Sequence, residues 1–203
     1  THGGVYTCVN RDGSLMDSTK SVWFQGRFAF ICSFAYNNIE PNPEWLQAAK
    51  STLDFMEKYC FDKDGHMYFS ITADGRPLRK RRYVFSETFA AIAMSEYALA
   101  TKDMSYAKKA MKIFEDTQRF LSTPGFLEPK YESSVNLQSH SIIMILINVG
   151  SRIRTVINDP KVTQQIDQSI AALKKYFMHP EFKALLEMVG PNGEFIDTNM
   201  TLP

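Results

Sequence analysis

Trp23 and Arg27 stand four residues apart in SVWFQGRFAF (21–30), a stretch with helical apolar spacing, so one face presents an indole beside a guanidinium. A flat ring stacks on the C–H face of a sugar, and a forked donor reaches the sugar's oxygens. The competing reading keeps Trp23 in the core and lets Arg27 snorkel outward, its stem covering Phe24 and Phe28. Asn136 and His140 repeat the four-residue spacing at the start of SHSIIMILINVGSRI. A neutral imidazole beside a carboxamide can share a hydroxyl-rich ligand, whereas helix capping by Asn136 or Ser139 explains Asn136 but leaves His140 unexplained. Phe85-Ser86-Glu87 opens another helical stretch, where Glu87 either orients a sugar hydroxyl or another side chain in a cavity, or complements the helix dipole.

These residues need a frame, and the periodicity supplies one. Apolar residues recur at helical spacing over 17–37, 43–60, 84–101, 103–122, 138–157, 160–178 and 180–189. Pro43 falls in a first turn, where its missing N–H costs nothing, and Asn158-Asp159-Pro160 closes one helix and opens the next. Short connections predict antiparallel helical hairpins. Between hairpins the period changes: GGVYTCVNRDG (3–13) and GHMYFSITADG (65–75) align without a gap, and GEFIDT (193–198) resembles the start of a third copy. Alternating apolar residues that close on Asp-Gly predict a short strand and turn. The repeat of about sixty residues puts such an insertion before each helix pair. Three hairpins cannot close a ring, and a toroid of six needs roughly twice this length. Residues 1–203 are therefore expected to be the N-terminal portion of one domain, incomplete at both ends; a compact three-hairpin domain is the alternative.

Composition excludes several classes. Lys plus Arg number 23 against 22 Asp plus Glu, a net charge of +1, so no global field draws nucleic acid or an acidic membrane. RPLRKRRY concentrates five cations in seven residues, but the neighbouring Asp-Gly turn and the near-neutral chain favour a solvated loop over a phosphate site. Cys8, Cys32 and Cys60 lack the spacing of a disulfide framework or a metal site and fit a reducing cytosol. With no membrane-length apolar run and no signal-peptide pattern, the expectation is a cytoplasmic protein with no membrane or nucleic-acid partner. Phosphate loops, HExxH, Cys-x-x-Cys and G-x-S-x-G are all absent, and no carboxylates form an evident acid/base pair.

GGVYTCVNRDGSLMDSTKSVWFQGRFAF resembles the N-terminal signature of the N-acylglucosamine 2-epimerase family: a Gly-Gly-aromatic strand, an Asp-Gly turn, a Lys, and Trp-x-Gln-Gly-Arg. RRYVFSETFAAIAMSEYALA resembles that family's next inner helix, and GPNGEFIDT the strand–turn before its Pro-Gly-His motif. The resemblance implies an all-α (α/α)6 barrel, of which this chain covers about the first half, with a sugar site in the funnel between inner helices. It implies a 2-epimerase that interconverts N-acetylglucosamine and N-acetylmannosamine by ring opening, C2 proton removal by one histidine and return by another. Arg27 would be the fixed cation where the oxyanion develops, Trp23 and Gln25 the wall beside it, and Phe85 and Glu87 part of the cleft. Asn136 and His140 keep the spacing of an Asn and a His in the cellobiose epimerase and mannose isomerase branches, which makes those activities the alternative. The two proton-transfer histidines are expected beyond residue 203. No redox cofactor or metal is required; ATP enters as an allosteric activator in some members, and a homodimer is expected. A polysaccharide lyase or hydrolase on a helical toroid, or a non-catalytic helical module, are further alternatives; the first lacks a spaced acid and base here.

Overall fold

The computed structural model describes residues 2–80, 83–127 and 136–196. Three helical hairpins form its body: α1 (Val22–Asn38) with α2 (Pro43–Tyr59), α3 (Phe85–Thr101) with α4 (Met104–Ser122), and α5 (Ser141–Arg154) with α6 (Pro160–Ala172). The first of each pair packs on its counterpart in the next hairpin, α1 on α3 and α3 on α5, so these three form an inner layer. α3 is central, with 12 of its 17 residues buried, and its run of Ala90, Ala91, Ala93, Ser95 and Ala98 admits neighbours on every side. α2 and α4 are amphipathic instead, with one face packed inward and one in water.

The helix starts differ between layers. Asn42, Asp103 and Asp159 each accept a backbone N–H from the first turn of α2, α4 and α6, at 2.9, 2.9 and 2.8 Å. α1, α3 and α5 have no side-chain cap and instead follow strand or turn segments.

Two points of contact fix the direction of the inner helices. Gly26, early in α1, meets the backbone of Phe89, early in α3; a Cβ there would lie 2.8 Å from the Phe89 carbonyl carbon. Near the other end, Asn37 Nδ2 donates to Glu96 Oε1 at 2.8 Å. Both pairs advance together along the chain, so α1 and α3 are parallel and begin at the same end. Glu96 is only 2% exposed, and its Oε2 faces the Arg152 guanidinium at 3.6 Å, which ties α5 to the same polar node.

The predicted strand–turns are present. β1 (Cys8–Val9) pairs with β2 (Leu15–Asp17) around the turn 10–14, and β4 (Tyr68–Ile71) with β5 (Pro77–Lys80) around 72–76. β3 (Lys20–Ser21) runs directly into α1 and pairs with β4, joining the first two repeats. Four turns share one pattern, in which a glycine N–H bonds the carbonyl three residues back, at Gly13, Gly65, Gly75 and Gly193. Each of these glycines has φ between 84° and 92°, and Asp or Asn precedes each. The turn at Gly193, which opens the third copy, matches the Gly65 turn that opens the second, while residues 197–198 of that copy lie outside the described residues.

Lys20 stitches the repeats together. It is 3% exposed, and its Nζ donates to the carbonyls of Gly3 (2.6 Å) and Ala73 (3.1 Å) above the Phe55 ring. Burial pushes its pKa down.

Two expectations are corrected. Residues 17–21 are not helical: Asp17 ends β2 and Lys20–Ser21 form β3, both paired with neighbouring strands, so α1 begins at Val22. The segment 180–189 is not helical: β8 (Ala184–Leu185) pairs back on β7 (Met178–His179), and β9 (Met188–Val189) pairs with β6 (Gln138–Ser139). Its apolar residues Leu186 and Val189 are buried with Phe177 in a small separate cluster, which rewards folding back over continuing a helix. RPLRKRRY is also less free than a solvated loop: Lys80 Nζ donates to Asp62 (2.7 Å) and Asp64 (2.6 Å). Among the described residues, no helix is long and apolar enough to cross a membrane.

Lys80, with help from the Lys63 backbone N–H, lowers the Asp62 carboxyl pKa to about 2. A depressed carboxylate stabilises the fold above its unfolded pKa of roughly 3.9 and loses that contribution as pH falls through the folded value. Melting temperatures of wild type and Asp62→Asn should therefore differ at pH 6 and converge as pH falls from about 4 to 2.

Candidate active site at the start of the inner helices

Because α1 and α3 start side by side, the side chains of their first two turns converge. Trp23 is half-buried, and its ring is surrounded by Phe69, Tyr83, Phe85 and Phe89 at centroid distances of 5.4, 5.9, 5.5 and 5.7 Å. The edge-on and tilted geometries suit aromatic quadrupoles. Trp23 Nε1 is buried with no hydrogen-bond partner among the described residues. One turn on, Arg27 is exposed, with its guanidinium carbon 4.4 Å from the Phe89 ring centroid. Trp23 and Arg27 thus share a face, as their spacing predicts, and Phe89 touches both. Arg27 also borders a cleft of about 640 Å³ lined by Val5, Tyr6, Thr7, Phe24, Phe28 and Ile31. The uncapped N-terminus of α1 adds partial positive charge at this end.

Gln25 is fully buried and has no surface for a sugar, which corrects its assignment to the substrate wall. Its Oε1 accepts the Val5 N–H and its Nε2 donates to the Val5 carbonyl, both at 2.8 Å. It therefore acts as an extra strand partner that holds one lip of the cleft. Gly4 makes room for this clasp, since a Cβ there would lie 2.7 Å from Gln25 Oε1.

Glu87 also turns inward. At 1% exposure, its Oε1 lies 2.5 Å from His66 Nδ1 and accepts the Met67 backbone N–H, also at 2.5 Å. A sugar hydroxyl has no approach to it; Glu87 fastens the second strand–turn to the start of α3, which corrects its assignment as a substrate contact. Phe85 is half-buried in the aromatic group, against Trp23 and Tyr83.

Asn136 and His140 are not on one helical face. α5 begins at Ser141, β6 occupies residues 138–139, and Asn136 is exposed ahead of it. His140 occupies the N-cap position of α5 without a side-chain cap bond; its backbone N–H donates to the Glu187 carbonyl at 3.1 Å, and Nδ1 faces the same oxygen at 3.2 Å. A carbonyl only accepts, so this contact places a proton on Nδ1. The structure groups Trp23, Arg27 and Phe85 through shared aromatic neighbours; among the described residues it shows no such link to Asn136 or His140.

Phe89, Lys20 and His66 were not singled out as site-building residues by sequence reasoning. Phe89 carried one usable signal, its position four residues after Phe85 on the same helical face. An exposed arginine against a tight aromatic group can bind a neutral polyol and stabilise negative charge that develops on one of its oxygens.

Residues 4–149 match the sequence pattern of the N-acylglucosamine 2-epimerase family. The N-acylglucosamine 2-epimerase of Bos taurus is 32% identical over 153 residues, which cover 72% of this chain and 36% of the bovine protein. The cellobiose 2-epimerase of Eubacterium cellulosolvens is 30% identical over 132 residues, 63% of this chain and 32% of that protein. The solved cellobiose 2-epimerase of Bacillus thermoamylovorans superposes with a TM-score of 0.85 at 18% identity, over 96% of this chain and 55% of that one. The chain thus has the fold of an (α/α)6 barrel over about half of the solved relative, and spans about a third of the length of the curated relatives it matches.

Proposed function

From the premise that this chain belongs to the N-acylglucosamine 2-epimerase family, we propose that the full-length protein interconverts N-acetylglucosamine and N-acetylmannosamine. The observation that carries this reading is Arg27, an exposed cation seated on the aromatic group at the start of the inner helices, inside the family-matched region. In the open-chain sugar the C2–H bond breaks toward a base, and its electron pair passes through C1–C2 to the carbonyl oxygen. The enediolate-like enolate forms with negative charge on O1, which Arg27 N–H donors stabilise more strongly than the neutral carbonyl. Reprotonation on the opposite face of C2 restores the carbonyl and inverts that carbon. The Phe89 ring covers one face of the guanidinium and leaves its N–H donors for the oxyanion.

In this reading the acid and base lie in other segments of the full-length protein, as the family resemblance implies. The same proposal includes chemistry without a required redox cofactor or metal, ATP as an allosteric activator, and a cytoplasmic homodimer; the family resemblance supports these points. A mannose isomerase or cellobiose-type 2-epimerase is the second reading, favoured by the similarity to cellobiose epimerases. Separate incubations with N-acetylglucosamine, N-acetylmannosamine, mannose and cellobiose, with products identified by NMR, decide between them. The first reading expects conversion of the first two; conversion of only mannose or cellobiose overturns it, and release of shorter sugars overturns both.

A further inference from the structure

We propose that Phe89 is the positioning residue that holds Arg27 in its working orientation; this rests on the reading of Arg27 as the cation of the sugar site. An exposed arginine has several freely rotating bonds and no intrinsic reason to keep one pose. Arg76, Arg119 and Arg152 are fixed by carboxylates, on Asp74, Asp116 and Glu96. Arg27 is in none of the ion pairs among the described residues, and its guanidinium instead lies 4.4 Å from the Phe89 ring centroid.

The choice of anchor has a chemical consequence. A carboxylate would take two of the N–H donors and neutralise the charge, both of which the oxyanion needs. An aromatic ring attracts the cation through its quadrupole and has no acceptor atoms of comparable strength, so the N–H donors stay available to a ligand.

Phe89 itself is held firmly. Gly26, the residue before Arg27, lets α1 approach so closely that a Cβ there would lie 2.8 Å from both the carbonyl carbon and the Cβ of Phe89. The Trp23 ring, 5.7 Å away, packs on Phe89 from the preceding turn. Gly26 and Trp23 thereby set the ring, and the ring sets the cation. This gives Trp-x-Gln-Gly-Arg a joint physical meaning: Trp23 steadies the ring, Gln25 clasps the lip, Gly26 allows the approach and Arg27 is what they deliver.

The test uses the full-length protein with Phe89→Leu, which keeps an apolar side chain but removes the quadrupole, and Phe89→Tyr, which restores it. Two readouts are taken: steady-state sugar turnover, and the NMR resonance of the Arg27 Nε–H, which an adjacent ring displaces upfield. Phe89→Leu is expected to lower kcat about 10-fold with a smaller change in KM, because the lost alignment matters most when charge develops. It should also abolish the upfield displacement. Phe89→Tyr should recover both, and in an Arg27→Ala background Phe89→Leu should cost no further activity. An Arg27 resonance that is unmoved in a folded Phe89→Leu protein overturns the proposal. So does an equal loss of kcat with and without Arg27, the mark of a merely structural role. If the wild type turns over no sugar, the functional reading fails, while the Arg27 resonance still decides whether Phe89 holds the cation.

Discussion

Arg27→Ala in the full-length protein is expected to lower kcat/KM for the sugar about 10²- to 10³-fold, the usual cost of removing one stabiliser of a developing oxyanion. The loss falls mainly on kcat, because O1 carries its full negative charge only as the C2 proton leaves. Stability changes little, since Arg27 is exposed and its interaction with Phe89 contributes about 0.5–1 kcal/mol at such a site. Arg27→Lys recovers only part of the rate, as an ammonium supplies the charge but not the planar fork. Steady-state kinetics alongside thermal melts check both halves. Unchanged turnover in Arg27→Ala would remove this residue from the site.

The second large effect is on folding. Glu87→Ala strips a buried acceptor from His66 Nδ1 and the Met67 N–H at once, and His66 is itself only 4% exposed. Breaking a buried pair from one side costs about 3–5 kcal/mol, because the groups that faced the carboxylate lose that acceptor while they stay desolvated. Against a typical total of about 5–15 kcal/mol, that is a large share of the stability. Glu87→Gln keeps a carbonyl acceptor and should cost less. Denaturant titration measures the loss, and hydrogen exchange should place it at β4 and the start of α3, the two elements that Glu87 joins. A loss below about 1 kcal/mol would show that the pair contributes little.

Much of the frame was legible because it is set by local chemistry. Six helices followed from their apolar period, and Pro43 and Asp159-Pro160 marked starts that side-chain caps and missing N–H groups explain. The Asp-Gly turns were readable because positive φ at the glycine suits few other residues. Where the reading missed, a distant partner decided the outcome. Nothing local to Gln25 says that it clasps Val5, and nothing near Glu87 says that His66, 21 positions earlier, takes its carboxylate. The segment 180–189 has a plausible helical pattern but pairs with β6, more than 40 residues away. That pairing also puts the start of α5 at Ser141, so the four-residue spacing of Asn136 and His140 falls ahead of the helix.

Arg27 meets the competing reading, as a snorkelling residue, in part. It does reach the surface, but over an aromatic face rather than along its own stem, and Phe89 became visible as its seat only once α3 lay beside α1.

The central claim is proton exchange at C2 through an oxyanion held by Arg27, and the fate of that proton in heavy water tests it most directly. With N-acetylglucosamine and the full-length protein in deuterated water, the account predicts N-acetylmannosamine carrying deuterium at C2, at a rate reduced in parallel with turnover by Arg27→Ala. Product that retains its original C2 proton throughout would contradict it.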